Sequence, residues 1–356
     1  MGLNHPDSLE DWRRWARPSA LRRAVAAVRG RGRQADRALR LLLYGTAPTV
    51  LAALDSATLS GIAAGLRPVA LGPRANVAVL CPQHLVPAVQ AMLGDPVEDR
   101  SITSADDLSA LDGTVGTVLS LGHYLRAGEL ALEWAAARGV EYVVVQHGLL
   151  TPFAPPLPDE VTLYAFSHED GAFWTGGRPG RTVRVVGSQM LWEAADPQSP
   201  AAQPGPTVFL GQLHGRELGR WSATQQTLAF LRAEPHVLYR PHPSERDMLS
   251  RATHRLMQRG GTRFEISGRP LPEMGADVVA LFSTGVLEAA AQGRGGWVHH
   301  TTPPAWLSEF WERYGMAPWV LGRSAADQPK RTPAPVRPVI EPARAIARDI
   351  FGGESA

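Results

Sequence analysis

Hydrophobic and polar positions along this chain group into blocks that predict strands and helices in turn. Apolar runs at 39–44, 77–80, 115–120, 140–145, 161–166 and 182–186 read as strands, with helices at 48–64, 124–138 and 169–175. A breaker-rich stretch, 196–206, interrupts the pattern. Strands then return at 207–210, 236–240, 262–266, 277–282 and 296–299, with helices at 219–232, 246–259 and 285–292. A proline-rich stretch, 329–338, precedes a last helix at 341–351. Such alternation predicts an α/β protein of two Rossmann-like domains whose parallel sheets face a central cleft. The expected divisions are a basic helical arm (1–37), a first domain (38–190), a linker (191–206), a second domain (207–330) and a closing segment (331–356).

Composition narrows the class. At 356 residues the chain exceeds a usual single domain, and its 44% hydrophobic and 20% charged residues are globular values. A formal charge of +2 does not mark a nucleic-acid binder, and nucleic acid is not an expected partner. Cys81 is the only cysteine, which excludes a disulfide framework and a thiolate metal cluster and fits a reducing cytoplasm. No apolar run reaches the roughly 18–20 residues that span a bilayer, so a soluble or peripheral protein is expected. In the arm, Asp7 or Ser8 is placed to cap a helix carrying Trp12, Trp15, Leu21, Val25 and Val28 among arginines. One reading is a peripheral contact with anionic lipid or an acidic partner. The other, favoured by the irregular apolar spacing, is a helix packed on its own domain.

Candidate chemistry gathers where strands end. In open α/β sheets those ends face the ligand crevice, and helix N-termini there hold anions. Arg240-Pro-His242-Pro-Ser244-Glu245 leaves a strand through a turn stiffened by two prolines. Arg240 and His242 are suited to an oxyanion, and Ser244 is placed to cap the next helix. Ser283-Thr284-Gly285 opens a helix, where Gly285 permits close backbone approach to phosphate; Glu288 lies one turn in, within reach of ribose hydroxyls. Gln146-His147-Gly148 ends a strand of the first half, and the unperturbed pKa of a histidine suits His147 to act as a general base. Gln212 and His214 follow the first strand of the second half, and Ser188 and Gln189 close the first. Each has a purely structural counterpart: a turn, a helix cap, a solvated glutamate, a loop-bonded histidine. Glu169-Asp170 begins a short helix, where acids are favoured without chemistry. Adjacent His299 and His300 point to opposite faces of a strand and do not make a metal site. No metal and no cofactor are expected.

The order Gln146-His147-Gly148, Arg240-Pro-His242-Pro and Ser283-Thr284-Gly285-x-x-Glu288 resembles bacterial GT-B glycosyltransferases of the capsule polysaccharide, polysialyltransferase and CDP-glycerol glycerophosphotransferase group. A more distant likeness is to UDP-N-acetylglucosamine 2-epimerases. The resemblance implies His147 as catalytic base and His242 on donor phosphate, with Ser283, Thr284 and Glu288 on phosphate and ribose. It also implies a CMP-, CDP- or UDP-linked donor and a polymer or lipid-linked acceptor of the cell envelope. The alternatives are a nucleotide-sugar epimerase or hydrolase on the same fold, and a non-catalytic scaffold or RNA-binding protein.

Overall fold

The structure, a computed structural model, describes residues 8–16, 39–56, 58–196, 205–213, 215 and 217–352. The expectations for His214, for Asp7 as a cap and for the arm beyond Ala16 lie outside the described residues. The chain forms two compact units: Gly2–Gln189 together with Pro338–Ala356, and Met190–Arg337.

The N-terminal unit is built on eight strands: β1 (Leu39–Leu43), β2 (Val50–Ala53), β3 (Val77–Pro82), β4 (Glu98–Ile102), β5 (Thr117–Ser120), β6 (Glu141–Val145), β7 (Val161–Ala165) and β8 (Arg181–Val185). Their order is β4-β1-β3-β2-β5-β6-β7-β8. Every pair from β3 to β8 is parallel, but β1 runs antiparallel to β3 and β4, so the expectation of a wholly parallel sheet is corrected at that edge. Leu39, Leu41 and Leu43 enter one core and Leu42 the other, because successive strand residues face opposite sides.

The helix expected at 48–64 is also corrected. β2 takes its first part, and the helix covers only Leu59–Gly65, where the Thr58 hydroxyl accepts from the Gly61 amide at 3.1 Å. Val50-Leu-Ala-Ala53 is buried at every position, and a short run apolar on both faces carries no period that separates strand from helix. The parallel run changes direction of growth between β2 and β5, which makes their C-terminal ends a topological switch point.

Two outlying segments pack on this unit. In the arm, helix Leu9–Ala16 places Trp15 flat on Phe153 and Trp12 edge-on to Tyr124, and the Trp12 indole donates to the Phe153 carbonyl at 2.8 Å. For these residues, packing on the chain's own domain is the outcome. The closing helix, Pro342–Ile350, buries Ile346 in the second core, while Asp349 bonds Tyr164 and Arg184.

The C-terminal unit holds β9 (Thr207–Leu210), β10 (Leu238–Arg240), β11 (Asp277–Ala280) and β12 (Gly296–Val298), all parallel, in the order β10-β9-β11-β12. The strand expected at 262–266 is reduced to a parallel bridge from Phe264 to Tyr239, and Pro318 makes a similar bridge to Val298. Counting both bridges, the six positions follow the doubly wound order 3-2-1-4-5-6, with the switch point between β9 and β11. Among the described residues no helix is long and apolar enough to cross a membrane.

Candidate functional site

At the switch point of the C-terminal unit, three loops are tied together by side chains. Gln212, expected to meet ligand, is a tie: its Oε1 accepts from the Leu281 and Phe282 amides at 3.0 and 2.8 Å, and its Nε2 donates to the Phe282 carbonyl. Glu245, to which sequence reasoning gave no role, is the second tie. Its buried carboxylate accepts from the Leu213 amide at 2.9 Å and the Tyr239 hydroxyl at 2.7 Å, and lies 2.8 Å from His254 Nε2. Gly211 permits this, because a Cβ there would sit 2.4 Å from the Tyr239 oxygen. The sequence signal for Glu245 was an acid directly after the H-P turn, but only the fold shows it turned inward.

On this frame the turn at His242 is exposed. The Ser244 amide donates to His242 Nδ1 at 3.1 Å, which puts the proton of the neutral ring on Nε2 and makes that atom a donor. The expectation that Ser244 caps the next helix is corrected. Asp247 does so, accepting from the Leu249 and Ser250 amides, because the chain first closes a turn from the Glu245 amide to the His242 carbonyl at 2.9 Å and the helix starts only at Met248. Arg240 bonds Glu265 at 3.0 Å, the Arg269 carbonyl at 2.6 Å and the Met274 sulfur, so its fork is occupied by its own unit.

Ser283 caps helix Thr284–Ala291, its hydroxyl accepting from the Gly285 amide at 3.2 Å. Gly285 has a packing role as well: a Cβ there would meet Leu210 Cδ1 at 2.5 Å, so glycine lets the helix lie close on the strand. One turn on, Glu288 is half-buried and its carboxylate has no hydrogen-bond partner among the described residues. Burial pushes its carboxyl pKa up, with the Arg240 charge acting in the opposite direction.

In the N-terminal unit His147 leaves β6 with Nδ1 buried and unpartnered. Burial holds its pKa below the usual histidine value, against a hydrogen bond to the Val145 backbone, so the ring is neutral at physiological pH. Gln146 is again a tie: Oε1 accepts from the Phe166 amide at 2.8 Å, and Nε2 donates to Asp170 at 2.7 Å and to the Gly148 carbonyl at 3.0 Å. Gly148 has open space where a Cβ would stand. Ser188 and Gln189 are buried, and Gln189 binds Glu341 and the Ala343 amide at 2.9 Å each, anchoring the closing helix. At this unit's switch point, Asp55 accepts from the Ala127 and Gly128 amides at 2.9 and 2.8 Å, filling the N-terminus of helix Arg126–Arg138. Asp55 was hidden inside the mistaken helix.

A cavity of about 800 Å³ runs across the N-terminal ends of β6 to β8 and is lined by Glu141, Val161, Arg181 and His123. It contains none of the sequence-predicted site residues. Among the described residues no three His, Cys, Asp or Glu side chains are grouped to hold a metal ion.

No family model and no curated protein matches the chain. Solved structures do. The UDP-GlcNAc 2-epimerase of Methanocaldococcus jannaschii, in complex with UDP-GlcNAc and UDP, is 11% identical with a TM-score of 0.51, over 85% of this chain and 99% of that one. A glycosyltransferase from Rickettsia africae is 10% identical, TM-score 0.48, over 70% and 79%. The Thermobaculum terrenum O-GlcNAc transferase is 15% identical, TM-score 0.44, over 85% and 59%. The fold is therefore α/β and GT-B-like, with two Rossmann-like units.

Proposed function

We propose that the chain is a GT-B-type transferase moving a sugar or glycerophosphate unit from a nucleotide-activated donor to a cell-surface polysaccharide, teichoic-acid-like or lipid-linked acceptor. The observation that carries this reading is Glu288, a half-buried carboxylate left without a donor, one turn into the helix that leaves the β9/β11 switch point. A ribose supplies two hydroxyl donors to such a group. His242 Nε2 and the Ser283 and Thr284 hydroxyls supply donors to the adjoining phosphates, and Arg240 adds positive field. Together they stabilise the charge that develops on the departing nucleotide. The acceptor oxygen attacks the transferred carbon or phosphorus as its bond to the nucleotide breaks, and neutral His147 takes the acceptor proton.

A second reading, a nucleotide-sugar 2-epimerase or hydrolase, draws support from the likeness to an epimerase that holds UDP-GlcNAc and UDP. The two differ in whether donor alone turns over. Thermal shifts with CMP, CDP, UDP, GDP and ADP test the shared site. At about 100 times Kd a specific nucleotide adds roughly 2.7 kcal/mol of stability. A selective pyrimidine shift lost in Glu288→Ala and His242→Ala supports the site, and no shift with any nucleotide overturns it. Product formation only with added acceptor selects the transferase.

A further inference from the structure

Helix Met248–Arg259 is attached to the C-terminal unit by a narrow strip. Only Ser250 and Met257 are buried, and His254 faces Glu245. Met248, Leu249 and Leu256 are 69%, 61% and 60% exposed. Leu249 and Leu256, seven residues apart, form an apolar ridge at helical spacing. Arg251, Arg255 and Arg259 form a parallel row at i, i+4 spacing, all exposed, with exposed Arg246 just before the helix. None of these four arginines makes an ion pair with a described residue. The helix itself contains no acid, and Asp247 at its cap is held by Arg220 at 3.1 Å. Trp221, adjacent in sequence to that arginine, is 74% exposed.

Like charges at i, i+4 destabilise a helix, so this row gains nothing from its own fold and calls for an external negative charge. Apolar side chains beside arginines, with an exposed tryptophan nearby, match a surface lying in the headgroup region of an anionic bilayer. A second copy of the chain is a poor occupant, because a two-fold contact would set the arginine row against itself. Nucleic acid would leave Leu249 and Leu256 unused. We infer that this helix is a docking surface for an anionic lipid membrane. The inference stands independently of the transferase reading and places a lipid contact on a different element from the arm.

The test is co-sedimentation of the full chain with vesicles of equal parts phosphatidylglycerol and phosphatidylcholine, against phosphatidylcholine alone. Binding is expected only to the anionic vesicles, weakening with added salt. Arg255→Glu with Arg259→Glu should reduce it by about tenfold or more, and Leu249→Ser with Leu256→Ser by a similar factor. All these variants should keep wild-type nucleotide shifts and melting temperature. Three results would overturn the assignment: binding that survives both double variants and is lost on removing residues 1–37; a dimer in solution that dissociates in the leucine variant; or RNA binding lost in the arginine variant with no vesicle binding in the parent chain.

Discussion

In the N-terminal unit, the helix leaving β5 at the switch point receives on its first amides a carboxylate from its own unit, Asp55. In the C-terminal unit, the helix leaving β11 is capped only by its own Ser283, and the carboxylate one turn along, Glu288, has no donor. Both helices pack closely through a glycine, one on the loop that precedes it and the other on a strand. A Cβ on Gly128 would sit 2.0 Å from the Gly122 oxygen, and one on Gly285 would sit 2.5 Å from Leu210. The same architecture is thus internally neutralised in one unit and left unsatisfied in the other. A positive helix end filled by a side chain is structure; in the proposed reading, the carboxylate left without a donor in the other unit is where nucleotide hydroxyls bind.

The comparison can be broken most severely at Glu245. Glu245→Ala removes the acceptor shared by Leu213, Tyr239 and His254 and should cost about 3–5 kcal/mol in denaturant unfolding. A loss near zero would mean that the loops do not depend on this tie. Next comes Asp55→Ala, which strands two helix amides and should cost about 1–3 kcal/mol, with Asp55→Asn recovering part because one acceptor remains. Neither Asp55 change should alter nucleotide shifts; if one does, the two switch points are not distinct in role. Gly285→Ala overpacks against Leu210 and should cost a similar or slightly smaller amount, about 1–3 kcal/mol, with nucleotide binding weakened as the helix is displaced.

The smallest effect has the opposite sign. Burial holds the Glu288 pKa above 4.5, so folding favours the protonated form. That contribution is present below the unfolded value and is lost as pH rises through the raised one. Glu288→Gln should therefore melt slightly higher than the parent chain at neutral pH and lose that advantage in acid. Nucleotide affinity should fall about 10- to 100-fold, the worth of hydrogen bonds to a charged group. A variant less stable than its parent at neutral pH would show that Glu288 serves the fold.

Much of the C-terminal unit was legible because its signals are local. Strand β9 was read to the residue, and the helices at 219–232 and 285–292 lie within one residue of their expected ends. Proline on both sides of His242 announces a stiff turn, and serine before a glycine-bearing helix announces a cap. The N-terminal unit was less legible at its centre, since β2 is apolar on both faces and has no period. That error concealed both a central strand and Asp55. The direction of the loop side chains was not legible: Gln146, Gln189 and Gln212 share the composition of ligand-binding residues, yet each spends its amide group on backbone or side-chain partners nearby.

The sequence by itself determined the α/β class, the alternation of elements and the motifs at strand ends, because periodicity, prolines, glycines and caps act over a few residues. Only the tertiary structure decided the order of strands, the antiparallel edge and the docking of the closing helix on the first unit. It also decided which polar groups at the two switch points are spent and which are left over. Those outcomes depend on residues far apart in the chain, such as Asp55 with Gly128 and Gln212 with Phe282, and a buried polar group's role is set by whether such a distant partner arrives.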